Sequence, residues 1–253
     1  MVVYSHSRLQ TFEQCPYKYK LKYIDKIPVE YRKTVEAFVG EMVHKTLEIL
    51  FRQILESNKI LSKGELLKIY NMLWESEWDD QILVNDQKNL SMYKYIGAKL
   101  ISQYYTLNYP FNDLKTIAVE TEEKIDLIDG SKYHIKIDRL AKDHDNNFYV
   151  IDYKTNNRMK SSEEVDKDRQ LAMYSLWVLR NFPEAKLIYL RWDMLKFNKS
   201  ILSVRTKDQL TALEQYVVKL IKDIESTEEF IPRPSVLCKW CVYKNICEYA
   251  QKK

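Results

Sequence analysis

The run Tyr133-His134-Ile135-Lys136-Ile137-Asp138, followed by Phe148-Tyr149-Val150-Ile151-Asp152-Tyr153-Lys154, decides how this chain is read. Both runs are rich in β-branched and aromatic residues, the composition of strands. The polar stretch Asp143-His144-Asp145-Asn146-Asn147 between them marks a turn. Asp152 and Lys154 are two residues apart and project from the same face of a strand. Aspartate is disfavoured inside strands, and Tyr149-Val150-Ile151 reads as buried, where charge is costly unless paired or metal-bound. Two carboxylates and a lysine on adjoining strands are what metal-dependent phosphodiester hydrolysis requires. A divalent ion takes hard oxygen ligands, and a water beside it must be held and activated. A neighbouring cation orients that water or offsets charge on the phosphate.

Working outward, Thr116–Ile128 and Lys132–Ala141 are predicted strands joined by a turn at Asp129-Gly130, a hairpin signal. Phe148–Lys154 is a third strand. A helix over Ser161–Arg180 follows, capped by Ser161 or Ser162 with Glu163 and Glu164 in its first turn. Ala185–Leu195 and Ser200–Val204 read as strands and Thr206–Ser226 as an amphipathic helix. The first hundred residues read helical. Ser5 or Ser7 caps a short helix through Phe12, Cys15-Pro16 interrupts, and a second stretch runs to about Asp25. Val39, Val43, Leu47, Leu50 and Ile54 recur at helical spacing within Val35–Glu56. Further helices are predicted at Gly64–Trp78 and Lys88–Leu107. The order predicts an α/β chain with a mixed sheet between helices.

The four glycines, Gly40, Gly64, Gly97 and Gly130, lie too far apart for a Walker A loop or a G-x-G-x-x-G turn. The expectation is no motor ATPase in this sequence, a dinucleotide-binding Rossmann domain is disfavoured, and helicase activity would have to come from a partner. The net charge of +4, from 40 basic and 36 acidic residues, is weak support for nucleic-acid binding. Lys18, Lys20, Lys22 and Lys26 interleave with Tyr17, Tyr19 and Tyr23. The mixture suits phosphate contact and base stacking, and equally a solvated helix face with its tyrosines packed inward. No apolar run approaches the ~18 residues of a membrane span, and the N-terminus lacks the apolar core of a secretory signal. The expectation is a cytoplasmic protein with no membrane partner.

All four cysteines fall near the ends: Cys15, then Cys238-x-x-Cys241 and Cys247. A site built from them would staple the termini together, and four thiolates suit either tetrahedral zinc or an iron–sulfur cluster.

Together these pieces resemble the RecB-like branch of the PD-(D/E)XK nuclease superfamily in its cluster-bearing form. Similar domains occur in bacterial helicase–nuclease subunits, in nucleases of CRISPR spacer acquisition and in single-strand exonucleases. Ser7-Arg8-Leu9-x-x-Phe12-x-x-Cys15-Pro16-x-Lys18-Tyr19 looks like that family's opening motif, and Gly40-x-x-Val43-His44 like its histidine motif. Asp138, Asp152 and Lys154 match the core signature, Gln170-x-x-x-Tyr174 the motif on the following helix, and Cys238, Cys241 and Cys247 the closing cysteines.

The resemblance implies a restriction-endonuclease-like mixed sheet core (αβββαβ) with an N-terminal helical region and a C-terminal cysteine-bearing tail. The expected organisation is one nuclease domain over 1–253: helical region 1–112, core 113–226, and a tail 227–253 joined to Cys15. The resemblance also implies Mg²⁺ or Mn²⁺ held by His44, Asp138, Asp152 and the Tyr153 carbonyl, with Lys154 catalytic. Gln170, Tyr174 and Arg8 would contact substrate, and Cys15, Cys238, Cys241 and Cys247 would hold a structural 4Fe–4S cluster. The implied substrate is DNA, preferentially single-stranded and attacked from an end. One alternative is a nuclease subunit active only within a complex with helicase or CRISPR-adaptation proteins as partners; another is a catalytically silent DNA-binding scaffold of the same fold. Glu120 is a weaker candidate for an outer role. The family often carries glycine where Ile135 stands, a departure expected to narrow the site or shift the DNA while removing no ligand.

Overall fold

The computed structural model describes residues 2–29, 33–84 and 89–250. The expected helix start at Lys88 and the last residues of the tail, 251–253, lie outside the described residues. The chain packs as two compact units, each drawn from non-consecutive stretches: 33–123 with 135–210, and 1–32 with 124–134 and 211–253.

The larger unit begins with a short strand β2 (Lys33–Thr34) and three helices: α3 (Val35–Ser57), α4 (Lys63–Glu77) and α5 (Leu90–Asn108). Thr34 caps α3, its side chain accepting from Ala37 N–H, and Ser62 caps α4 in a reciprocal box with Glu65. Strand β3 (Ile82–Leu83) pairs in parallel with β2, a small ribbon too short for sequence periodicity to reveal. The main strands are β4 (Lys115–Asp126), β5 (Lys132–Lys142), β6 (Phe148–Lys154), β7 (Ile188–Met194) and β8 (Lys199–Val204).

They lie in the order β4-β5-β6-β7-β8. β6 is antiparallel to β5, with Arg139 opposite Ile151, and parallel to β7; β8 returns antiparallel to β7. A parallel pair needs a crossover. The chain makes it through α6 (Ser162–Asp166) and α7 (Arg169–Asn181), the latter packed on β6 and β7.

Strand alternation separates two faces. Ile151 and Tyr153 join Phe38, Met42, Leu47, Leu50, Tyr70 and Trp74 in the core under α3, α4 and α5. Phe148 points the other way, its ring 5.0 Å from Phe182 just beyond α7. Burial of each large apolar side chain contributes roughly 1.5–3 kcal/mol, so this core fixes α3 on the sheet.

The single helix expected over Ser161–Arg180 is two. Ser161 caps α6 as anticipated, but Lys167 ends it, and the Asp168 side chain accepts from Leu171 N–H at 3.2 Å to start α7. A second aspartate cap inside the periodic stretch restarts the helix.

The smaller unit holds β1 (Val3–Ser5), unanticipated, paired in parallel with the first residues of β5. After β1 come α1 (His6–Gln14), α2 (Pro16–Tyr19), a π turn over Lys20–Ile24, and most of α8 (Lys207–Glu225). Ser5 caps α1. Phe230 stacks on Tyr19 with centroids 6.2 Å apart, and Tyr216 donates to Glu13 Oε1 at 2.7 Å, so the tail and the N-terminal helices share one core. Among the described residues no helix is long and apolar enough to cross a membrane.

Candidate metal centre and cysteine pocket

The larger unit gathers four of the expected residues where β5 and β6 begin to pair. Register places Asp138 and Asp152 one step beyond the Arg139–Ile151 pair. Asp138 Oδ2 accepts the Tyr153 N–H at 2.9 Å. His44 arrives from α3: its Nδ1 lies 3.3 Å from Asp138 Oδ2, and its Nε2 is 2.7 Å from the Tyr153 carbonyl oxygen. Gly40 makes this approach feasible. It sits one helical turn before His44, and a Cβ there would stand 3.0 Å from Thr155 Oγ1, just past the end of β6.

Lys154 Nζ donates to Asp152 Oδ1 at 3.0 Å and lies 2.7 Å from Oδ2. Asp152 is only 5% exposed, and the lysine ammonium is the charge partner of both its oxygens. A carboxylate keeps lone pairs beyond those one ammonium takes, and a divalent cation can use them. The donor atoms of His44, Glu120 and Asp138 all lie within 4.8 Å of one another. The residue set fits a hard divalent cation with one imidazole.

Electrostatics agree with the geometry. Burial pushes the Asp152 carboxyl up to about 6; Lys154 opposes the shift and Asp138 adds to it. Burial alone would lower the His44 imidazole, yet the adjacent Asp138 carboxylate outweighs it and holds the ring up at about 9. Burial would likewise raise Asp138, but the His44 charge and the Tyr153 N–H bring it below the usual carboxylate range. Lys154 is held above its ordinary value because Asp152 overcomes the burial that would lower it. His44, Asp138 and Lys154 are held charged by their neighbours, whereas Asp152 remains costly to ionise.

Gln170 and Tyr174 face each other on α7, Gln170 Nε2 donating to the Tyr174 hydroxyl at 3.1 Å. That hydroxyl also hydrogen-bonds the Lys136 backbone, and Tyr174 is buried. The pair thus braces β5 two residues ahead of Asp138. Ile135 is fully buried in the core, on the opposite face of β5 from Asp138. The expected narrowing of the site by Ile135 is therefore corrected: its side chain points away from the ligands. Glu120, given only an outer role in the sequence, reaches the centre from β4, and Lys136, unmarked in the sequence, bonds it at 2.8 Å. Lys136 stands two residues before Asp138, and that same-face spacing was the available signal.

In the smaller unit, Cys15, Cys238, Cys241 and Cys247 are unpaired thiols lining one cavity of about 280 Å³. Backbone N–H groups of Lys18 and Arg233 reach Cys15 Sγ at 3.5 and 3.4 Å, and Ser235 N–H reaches Cys238 Sγ at 3.3 Å. Such donors suit sulfurs that carry negative charge. Arg8 belongs to this unit. Its guanidinium packs on the rings of Tyr4, Tyr19 and Tyr23, and its Nε donates to the Tyr19 hydroxyl at 2.9 Å. Of the interleaved Lys/Tyr stretch, Tyr19 packs inward while Lys22 and Lys26 remain exposed.

Comparison with known proteins places these features. The family model of the PD-(D/E)XK nuclease superfamily matches residues 3–248. One subunit of an ATP-dependent helicase/deoxyribonuclease from Carboxydothermus hydrogenoformans is 29% identical over 184 residues, 64% of this chain but 17% of that protein. The chain thus spans less than a fifth of that relative's length. A candidate exonuclease from Eubacterium rectale, of known structure, shares the fold with a TM-score of 0.53 at 14% identity, over 97% of this chain and 89% of that one. With the family pattern running through nearly the whole sequence and the mixed sheet arranged as that pattern requires, the chain belongs to the PD-(D/E)XK nuclease superfamily.

Proposed function

We propose that this nuclease is a Mg²⁺- or Mn²⁺-dependent deoxyribonuclease that attacks single-stranded DNA from an end, and that its four cysteines hold a structural 4Fe–4S cluster. The observation that carries the reading is the convergence of His44, Asp138, Asp152 and Lys154 at the start of β5–β6 pairing, with the donor atoms of His44, Asp138 and Glu120 within 4.8 Å of one another. His44, Asp138, Asp152 and the Tyr153 carbonyl would hold the cation, which when bound polarises a phosphate and lowers the pKa of water.

The chain's own groups do the rest. Lys154, held charged by Asp152, is placed to orient the attacking water or stabilise charge building on the phosphate. Asp138, fixed by the Tyr153 N–H, keeps its ligand geometry without a rotamer search. Gln170 and Tyr174 hold the strand that carries it. The four thiols lining one cavity, with backbone N–H groups reaching Cys15 and Cys238, support a thiolate site there, which we assign to the cluster. A helicase partner is suggested by the relative's name, which joins helicase to deoxyribonuclease.

Three outcomes are expected. End-labelled single-stranded DNA is degraded by wild type with Mn²⁺ or Mg²⁺ and not with EDTA, and Lys154→Ala abolishes the loss of substrate. Full activity in that variant would sink the assignment. Cys241→Ala yields colourless protein lacking iron and melting below wild type; a brown, iron-replete variant would refute the cysteine site.

The third concerns pH. Asp152 at about 6 instead of 3.8, and His44 at about 9 instead of 6.5, both bind protons more tightly folded than unfolded. The metal-free protein therefore loses their contribution as pH rises, through 3.8 to about 6 for Asp152 and 6.5 to about 9 for His44. Asp152→Asn should remove the first part, at most about 3 kcal/mol, seen in thermal melts with chelator from pH 4 to 7. Parallel profiles for variant and wild type would contradict the buried-charge description.

A further inference from the structure

Glu120 is held in an uncommon way. Its φ of 45° lies in the left-handed region although it sits inside β4. A non-glycine residue there costs roughly 1–3 kcal/mol, and such positions gather at functional sites. The consequence is that its side chain turns inward: it is only 12% exposed, and its carboxylate shares a 4.8 Å neighbourhood with the donor atoms of His44 and Asp138.

A plain ion pair between β4 and β5 would not require this. Lys136 already has a second partner, Glu122, at 3.4 Å, and Glu122 is 58% exposed. Two acids thus compete for one lysine, and the less exposed one is the member directed at the cation ligands. Glu120 and Asp138 bring two carboxylates and His44 an imidazole to one small neighbourhood, a mixed oxygen and nitrogen donor set.

We propose that Glu120 is itself a ligand of the cation that His44 and Asp138 hold. Lys136 is its counter-charge when the cation is absent, and on loading the lysine passes to Glu122. The assignment rests on the metal-centre reading above and adds to it a ligand outside the motif. Lys136 then acts as an internal competitor that keeps the acidic site from repelling itself apart before metal arrives.

The test is calorimetric titration of Mn²⁺ into the metal-free full chain. Glu120→Gln should weaken binding by about tenfold or more, the scale seen even for outer partners of metal ligands. Lys136→Met should instead tighten it, because Glu120 no longer has to be released. The opposite signs separate a ligand from a structural bridge: removing either half of a bridge would have the same effect. Wild-type affinity in Glu120→Gln, or weakened binding in Lys136→Met, would overturn the proposal. Asp138→Ala serves as the control. If it loses Mn²⁺ while Glu120→Gln does not, only the Glu120 assignment fails; if it too binds as wild type, the metal centre fails with it.

Discussion

The antiparallel register that sets Arg139 against Ile151 brings Asp138 and Asp152 together one step further along. Two carboxylates meeting away from water repel each other, by about 4 kcal/mol for unit charges 4 Å apart near a protein surface. The surroundings are arranged against that repulsion. His44 and the Tyr153 N–H meet Asp138, Lys154 meets Asp152, and Lys136 meets the third acid, Glu120. The compensation is incomplete, because burial and the Asp138 charge still push the Asp152 carboxyl up to about 6 despite Lys154. A cluster of acids in which one carboxylate remains costly to charge suits a cation.

The rest of the larger unit serves to hold those charges in place. His44 reaches the sheet because α3 comes close, and Gly40 leaves room for that approach beside the Thr155 side chain. The helix is pressed there by the core that Phe38, Met42, Leu47 and Leu50 form with Ile151 and Tyr153. Tyr153 thus works twice: its ring anchors the strand in that core, and its backbone offers an N–H to Asp138 and a carbonyl to His44. On the other side of the sheet, Gln170 and Tyr174 fasten the backbone of β5.

Much of this was legible in the sequence. The strand Phe148–Lys154 has its expected bounds because an apolar run ends on a charged pair, and α3 has the expected stripe of Val39, Val43, Leu47 and Leu50. The caps at Ser5 and Ser161 are local chemistry and were readable as such. What escaped depends on contacts distant in sequence. β1 is three residues long and exists because the start of β5 offers it a partner. The break between α6 and α7 lay hidden because Asp168 reads as a polar helix residue until it is seen capping Leu171. Glu120 was only faintly marked: no motif surrounds it, and its inward turn comes from a backbone conformation that sequence periodicity does not encode.

The most direct measurement is anomalous diffraction at the manganese edge from crystals of the wild-type chain grown with Mn²⁺. A peak is expected in coordination contact with His44, Asp138 and Asp152, with Lys154 beside it and outside the coordination sphere. Manganese bound elsewhere, with those residues still engaged only with one another while Mn²⁺-dependent cleavage persists, would contradict the assignment.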